Sequence, residues 1–193
     1  SFEFAFYGCT NLDISADATG DFSNVTSCAH AFRACSSMTL FPAIDFPLST
    51  NATSAWMSCG NLASFGAQDF SSVTTALNMF NGCSSLPAIP LMDFSSCATF
   101  TSMLRSCTSL TTIPSGFGST LGLGTTFVTF LYGGVTIDTT DYSNLLIELE
   151  SVNSNFSVTF NGGNSQYNVA GGVARAALVA DHSWAISDGG AAP

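Results

Sequence analysis

The sequence predicts an α/β solenoid of about five 24-residue repeats over residues 1–120, closed by a small α+β cap over 121–193. Three columns of residues predict it. Cys9, Cys35, Cys59, Cys83 and Cys107 follow one another at intervals of 26, 24, 24 and 24 residues. Three residues before each cysteine stands a bulky apolar side chain (Phe6, Phe32, Trp56, Phe80, Leu104), and three after it another (Leu12, Met38, Leu62, Leu86, Leu110). An Asp-Phe pair recurs with the same 24-residue period at 21–22, 45–46, 69–70 and 93–94, with Phe117 continuing the aromatic column one residue early.

Within one repeat, stretches such as 86–90 and 110–114 read as short strands ended by Pro90 and Pro114, which cannot extend a ladder. The return segment 71–81 spaces Val73, Leu77 and Phe80 as a short helix or 3₁₀ turn does. A repeat of this length cannot bury its own apolar face, so neighbours must stack and align the Phe, Cys and Leu positions into internal columns. From residue 118 the period fails. The tail then predicts a helix at 142–150, a strand at 157–160, a turn at Asn161-Gly162-Gly163, a helix near 170–180 and a last strand around 184–187. Such a tail would cover the final repeat, because an open apolar end invites aggregation.

Composition narrows the function. There is no lysine and there are three arginines, Arg33, Arg105 and Arg175, against thirteen acidic residues, for a net charge of −10. Nucleic-acid binding needs clustered cations to neutralise phosphates, and this chain has none to offer. The same shortage argues against electrostatic attachment to anionic lipid, and no stretch approaches the roughly 20 apolar residues of a spanning helix, so membrane insertion is not expected. Uncharged Ser, Thr, Asn and Gly supply solubility, a balance suited to a secreted protein. Three glycosylation sequons begin at Asn24, Asn51 and Asn155.

The runs Ala31-Phe32-Arg33-Ala34-Cys35-Ser36-Ser37-Met38 and Met79-Phe80-Asn81-Gly82-Cys83-Ser84-Ser85-Leu86 resemble the BspA-like leucine-rich-repeat surface proteins. The tail is similar to the ends of such proteins in Gly162-Gly163-Asn164-Ser165-Gln166-Tyr167, in Ala174-Arg175-Ala176-Ala177-Leu178 and in Trp184-Ala185-Ile186-Ser187-Asp188-Gly189-Gly190. The resemblance implies a right-handed leucine-rich-repeat solenoid displayed on a cell surface or viral particle, associated with adhesion to host matrix, and it carries no catalytic residues. The 26-residue first interval, Leu104 and the offset Phe117 depart from the pattern.

Stacked repeats bring successive cysteines within bridging range, but ladder cysteines point the same way into the core, so they read as free buried thiols. Their spacing lacks the close Cys-x-x-Cys pairs of zinc sites, and His30 and His182 have no evident partners. Stacking of Asp21, Asp45, Asp69 and Asp93 would hold like charges close together, raising their pKa values or recruiting calcium. The blander reading, and the preferred one, is that each carboxylate accepts backbone N–H groups at its turn, with no cofactor at all. No nucleophile elbow or phosphate loop is present. Glu148 and Glu150 point to different sides of their helix and read as solvated, so no enzyme activity is expected.

The expectation is therefore a non-enzymatic extracellular repeat module that adheres to a host or matrix protein or glycan. Its contact candidates are the residues two before each cysteine: Tyr7, Arg33, Met57, Asn81 and Arg105. The alternative is a structural subunit polymerising head to tail through its incomplete first repeat, with Phe2, Phe4 and Phe6 meeting the next copy.

Overall fold

The computed structural model describes residues 1–14, 20–122 and 124–193. It overturns the expected α/β leucine-rich-repeat solenoid. Among the described residues there are two α-helices, both in the C-terminal third, and four strands forming two two-stranded parallel sheets; the rest is mostly turns and irregular chain. The strands are β1 (Leu40–Phe41), paired with β2 (Ser64–Phe65), and β3 (Thr159–Asn161), paired with β4 (Ala185–Ser187). The helices are α1 (Thr139–Val152) and α2 (Val169–His182), and a single 3₁₀ turn occupies Gly118–Leu121.

The return segments are not helical because their backbone cannot be. Asn78 and Gly82 adopt the left-handed conformation, with φ of 54° and 80°, as do Ser54 and Ser58 in the preceding segment. A left-handed residue every four positions interrupts an α-helix. The N–H groups that a helix would use internally instead leave the segment: those of Ala76, Asn78, Phe80 and Gly82 donate to the carbonyls of Thr99, Thr101, Met103 and Arg105 at 2.8–3.0 Å. The expected strands at 86–90 and 110–114 shrink to one bridge, Ala88 to Thr112, since the flanking prolines remove donors.

Neighbouring 24-residue segments thus lie side by side, joined by main-chain hydrogen bonds between them. Periodic side chains meet across that register. Phe6, Phe32, Trp56 and Phe80 stack in sequence with ring centroids 5.4–5.7 Å apart, and Phe70 stacks on Phe94 at 5.5 Å. Such pairs contribute about 0.5–1.5 kcal/mol each beyond the area they bury. The Sγ atoms of Cys35, Cys59, Cys83 and Cys107 each lie 3.1 Å from the carbonyl oxygen of the aromatic one segment back. All seven cysteines are free, and every one but Cys9 is buried. Burial pushes the thiols of Cys28, Cys35 and Cys97 up to about 11 and those of Cys59 and Cys107 to about 12, so they stay protonated and unreactive.

The hydrogen-bond register does not stop at residue 118. After the 3₁₀ turn it resumes with a 27-residue step: Phe100, Ser102, Leu104 and Ser106 donate to Thr126, Val128, Phe130 and Tyr132. Here Gly134 occupies the place of the cysteine, which hid the continuation from a pattern built on Cys. One apolar core runs from Cys28 to Trp184 without a break at residue 120.

The tail elements fall where the sequence places them, with α1 starting three residues earlier than expected. Asp138 starts it by accepting the Thr140 N–H, and Asn168 starts α2 by accepting that of Gly171. Beneath α2 lies a polar knot. Asp188 pairs with Arg175 at 2.9 Å and accepts the buried Tyr142 hydroxyl, also at 2.9 Å, while Arg175 donates to the Ile186 carbonyl. Burial, then the Asp188 charge, pushes the Tyr142 phenol far above its ordinary value.

Candidate functional site

The interstrand register decides which side chains share a line on the surface. The N–H groups of Gly8, Ala34, Ser58, Gly82 and Ser106 donate to the carbonyls of Arg33, Met57, Asn81, Arg105 and Tyr132, each at 2.8 Å. These acceptors, preceded by Tyr7, form one column across six segments. Every member is followed by a left-handed residue: Gly8, Ala34, Ser58, Gly82, Ser106 and Gly133. The chain reverses there, and the column side chain is left outside. Tyr7 and Tyr132 are both 49% exposed, Arg105 is exposed, and Arg33, Met57 and Asn81 are half-buried.

The column is polarised at its ends. The Arg33 guanidinium lies 5.4 Å from the Tyr7 ring centroid, and that of Arg105 lies 5.4 Å from Tyr132. Of the three cations, Arg175 is consumed by Asp188, whereas Arg33 and Arg105 form no ion pair among the described residues. In a chain of thirteen acidic residues, the two unpaired guanidiniums both stand in this column. They are three segments apart, about 14 Å at the usual strand spacing. A guanidinium held over an aromatic face keeps its donors for a carboxylate, sulfate or carbonyl from outside. Tyr132 joins the column through a 27-residue step with Gly134 in place of a cysteine, so the Cys-centred pattern of the sequence does not reach it.

No family model, no curated protein and no solved structure matches this chain.

The other candidate residues divide by environment. Asp21, Asp69 and Asp93 accept the N–H of Ser23, Ser71 and Ser95 at 2.8–2.9 Å, and Asp45 accepts that of Asp69 at 3.0 Å. Hydrogen bonds from Ser23 and Ser71 hold the Asp21 and Asp69 carboxyls below the usual value, opposite in sign to like-charge repulsion. Among the described residues no group of three His, Cys, Asp or Glu side chains could hold a metal ion.

Asn24 is exposed, whereas the Asn155 side-chain amide donates to the Gly122 and Gly124 carbonyls and the Asn155 main-chain carbonyl accepts the Trp184 indole N–H. Asn51 is half-buried and accepts the Thr53 N–H. Of the three sequons, Asn24 alone is exposed, and its amide donates only to the neighbouring Ser23 hydroxyl at 3.5 Å.

Phe2 and Phe6 turn inward against Phe22 and Phe32, while Phe4 is 55% exposed and lies flat on His30 at 4.6 Å. Glu148 is not simply solvated. One carboxylate oxygen accepts the Gly116 N–H at 2.7 Å and the other that of Gly118 at 2.8 Å, clamping the 3₁₀ turn to α1.

Proposed function

We propose that the protein is a non-catalytic extracellular recognition module that binds a glycan or a protein of the host or matrix through the column from Tyr7 to Tyr132. The observation that carries this reading is the pair of unpaired guanidiniums, each seated on an exposed tyrosine, at the two ends of one straight line of side chains. Aromatic faces recognise sugar rings and apolar side chains, and arginine forks recognise carboxylates and carbonyls, with modest loss of side-chain freedom. The resemblance of the Cys-centred units to BspA-like surface proteins, and the exposed Asn24 sequon, support an extracellular or particle-surface setting. The test is binding of the full chain to a panel of immobilised polysaccharides and matrix proteins. An R33Q/R105Q double variant is expected to bind its best panel member at least tenfold more weakly; an unchanged affinity overturns the reading.

One observation favours a second reading, head-to-tail assembly. The carbonyls of Glu3, Ala5 and Tyr7 occupy the places where Ala29, Ala31 and Arg33 accept N–H groups, and among the described residues they have no donor. Unpaired carbonyls beside the exposed Phe4 can accept N–H donors from a second copy or from further residues of the same chain. Concentration-dependent fibres in the electron microscope that vanish in a Phe4→Asp variant would establish it.

A further inference from the structure

Past Tyr132 the register breaks down, and a cleft opens where it does. Leu131 still donates forward, to Asn161, but the chain then diverges, and the Asn164 N–H turns back to the Val135 carbonyl at 2.8 Å. Between these two paths lies a cleft of about 260 Å³ lined by Tyr132, Gly133, Gly134, Asn161, Gly163 and Asn164. In the preceding segment the equivalents of the Gly133 and Gly134 amides are satisfied: Ser106 donates to Tyr132 and Cys107 to Leu104. Gly133 and Gly134 themselves donate to nothing among the described residues. Two consecutive N–H groups without a protein acceptor, on half-buried Gly133 and exposed Gly134, thus lie in one turn, and turns that present successive N–H groups can hold oxyanions.

The cleft's walls are fixed. A Cβ at Gly163 would collide with the carbonyl oxygens of Leu131 and Val135, and one at Gly133 would meet the Ser106 hydroxyl at 2.6 Å, so both wall positions require glycine. Asn161 is locked, donating to the Ser187 hydroxyl and accepting the Gly163 N–H. Asn164 is exposed, and its side-chain amide makes no hydrogen bond among the described residues. Arg105 does not line the cleft but adjoins it, its guanidinium lying 5.4 Å from the centroid of the lining Tyr132 ring.

We infer that this cleft is a saccharide subsite for a sugar that carries a carboxylate, with the Gly133 and Gly134 N–H groups and Arg105 taking the acid, Asn164 a hydroxyl and Tyr132 the ring. The inference rests on the column's being the binding face and names the class of ligand at one end of it. A free carboxylate and a carboxylate on a sugar share the anion chemistry; the tyrosine and the asparagine select the sugar.

The experiment follows backbone amide signals of the full chain by NMR during titration with an oligoglucuronate, with the neutral glucose oligomer of the same linkage, and with acetate. The oligoglucuronate should move Gly133, Gly134 and the Asn164 side chain saturably. The neutral oligomer should bind at least tenfold more weakly, and acetate should not saturate in the same range. Asn164→Ala and Tyr132→Ala should each weaken oligoglucuronate binding severalfold while amides of residues 28–83 keep their positions. Equal binding of the neutral oligomer, or equal shifts with acetate, overturns the inference. If binding occurs and responds to Arg33→Gln while the Gly133 and Gly134 signals stay still, the cleft is wrong and the column stands; if neither R33Q nor R105Q alters binding, the column reading fails as well.

Discussion

Residues 28–113 and residues 139–193 share one apolar core but are held together by different means. In the first region each residue type recurs on the same line, so aromatics stack on aromatics, thiols face carbonyls, and alternate backbone N–H groups bond the next segment. In the second, helices satisfy their own backbone, β3 pairs with β4, and single polar side chains add joins of their own: Glu148 to the 3₁₀ turn, and Asp188 to Arg175 and Tyr142. Repetition spreads stability over many equivalent contacts, whereas the C-terminal region concentrates it in a few named groups.

The contrast can be broken most forcefully at the centre of the stack. Trp56 is fully buried between Phe32 and Phe80, with Phe41 and Phe65 at its edges. Trp56→Ala should cost about 4–5 kcal/mol in chemical denaturation; a loss below about 1 kcal/mol would mean that the stack does not carry the region.

The thiols probe the same region through pH. Their folded pKa values are raised by burial, so the unfolded chain loses those protons first as pH rises. Stability from Cys59, Cys83 and Cys107 is therefore complete below the ordinary thiol value near 9. It should fall as pH rises above about 9 toward the folded values of about 12 at Cys59 and Cys107. Alkaline denaturation should be steep, and Cys83→Ala should make it shallower. A pH-independent midpoint between 9 and 11 would contradict the buried, protonated state.

In the C-terminal region, Glu148→Ala should cost about 2 kcal/mol, because it leaves the Gly116 and Gly118 N–H groups without their acceptor. Glu150→Ala, which removes no hydrogen bond among the described residues, should be nearly silent. The smallest effect tests the turns. Ser58 has φ of 64°, and Ser58→Gly should stabilise by about 0.5–1 kcal/mol, whereas Gly82→Ala should destabilise by about 1 kcal/mol. Both are read from thermal or denaturant midpoints.

What was legible in the sequence follows from the same difference. Periodic spacing revealed which side chains share a line, and the Cys, Phe and Asp columns were found because identity repeats. It did not reveal backbone conformation. Val73, Leu77 and Phe80 have helical spacing, yet Asn78 and Gly82 between and after them sit at positive φ, and the chain makes tight turns where a strand-turn-helix repeat was expected. Asn and Gly four residues apart were a usable hint, but Ser54 and Ser58 take the same conformation without one. The tail helices and strands were readable from local pattern and capping residues. The Glu148 clamp was not, since nothing near Gly116 or Gly118 announces a need for a carboxylate 30 residues away. Tyr132 and the adjoining cleft stayed hidden because the last step is 27 residues long and replaces the cysteine by Gly134.

One hydrogen-bond register sets out the surface column and ends at Gly133. Amide hydrogen exchange of the full chain, read residue by residue, tests it most directly. Strong protection is expected at Ala34, Ser58, Gly82 and Ser106, whose N–H groups each hold the next segment, and fast exchange at Gly133 and Gly134. Fast exchange at the first four, or protection at both glycines equal to theirs, would contradict it.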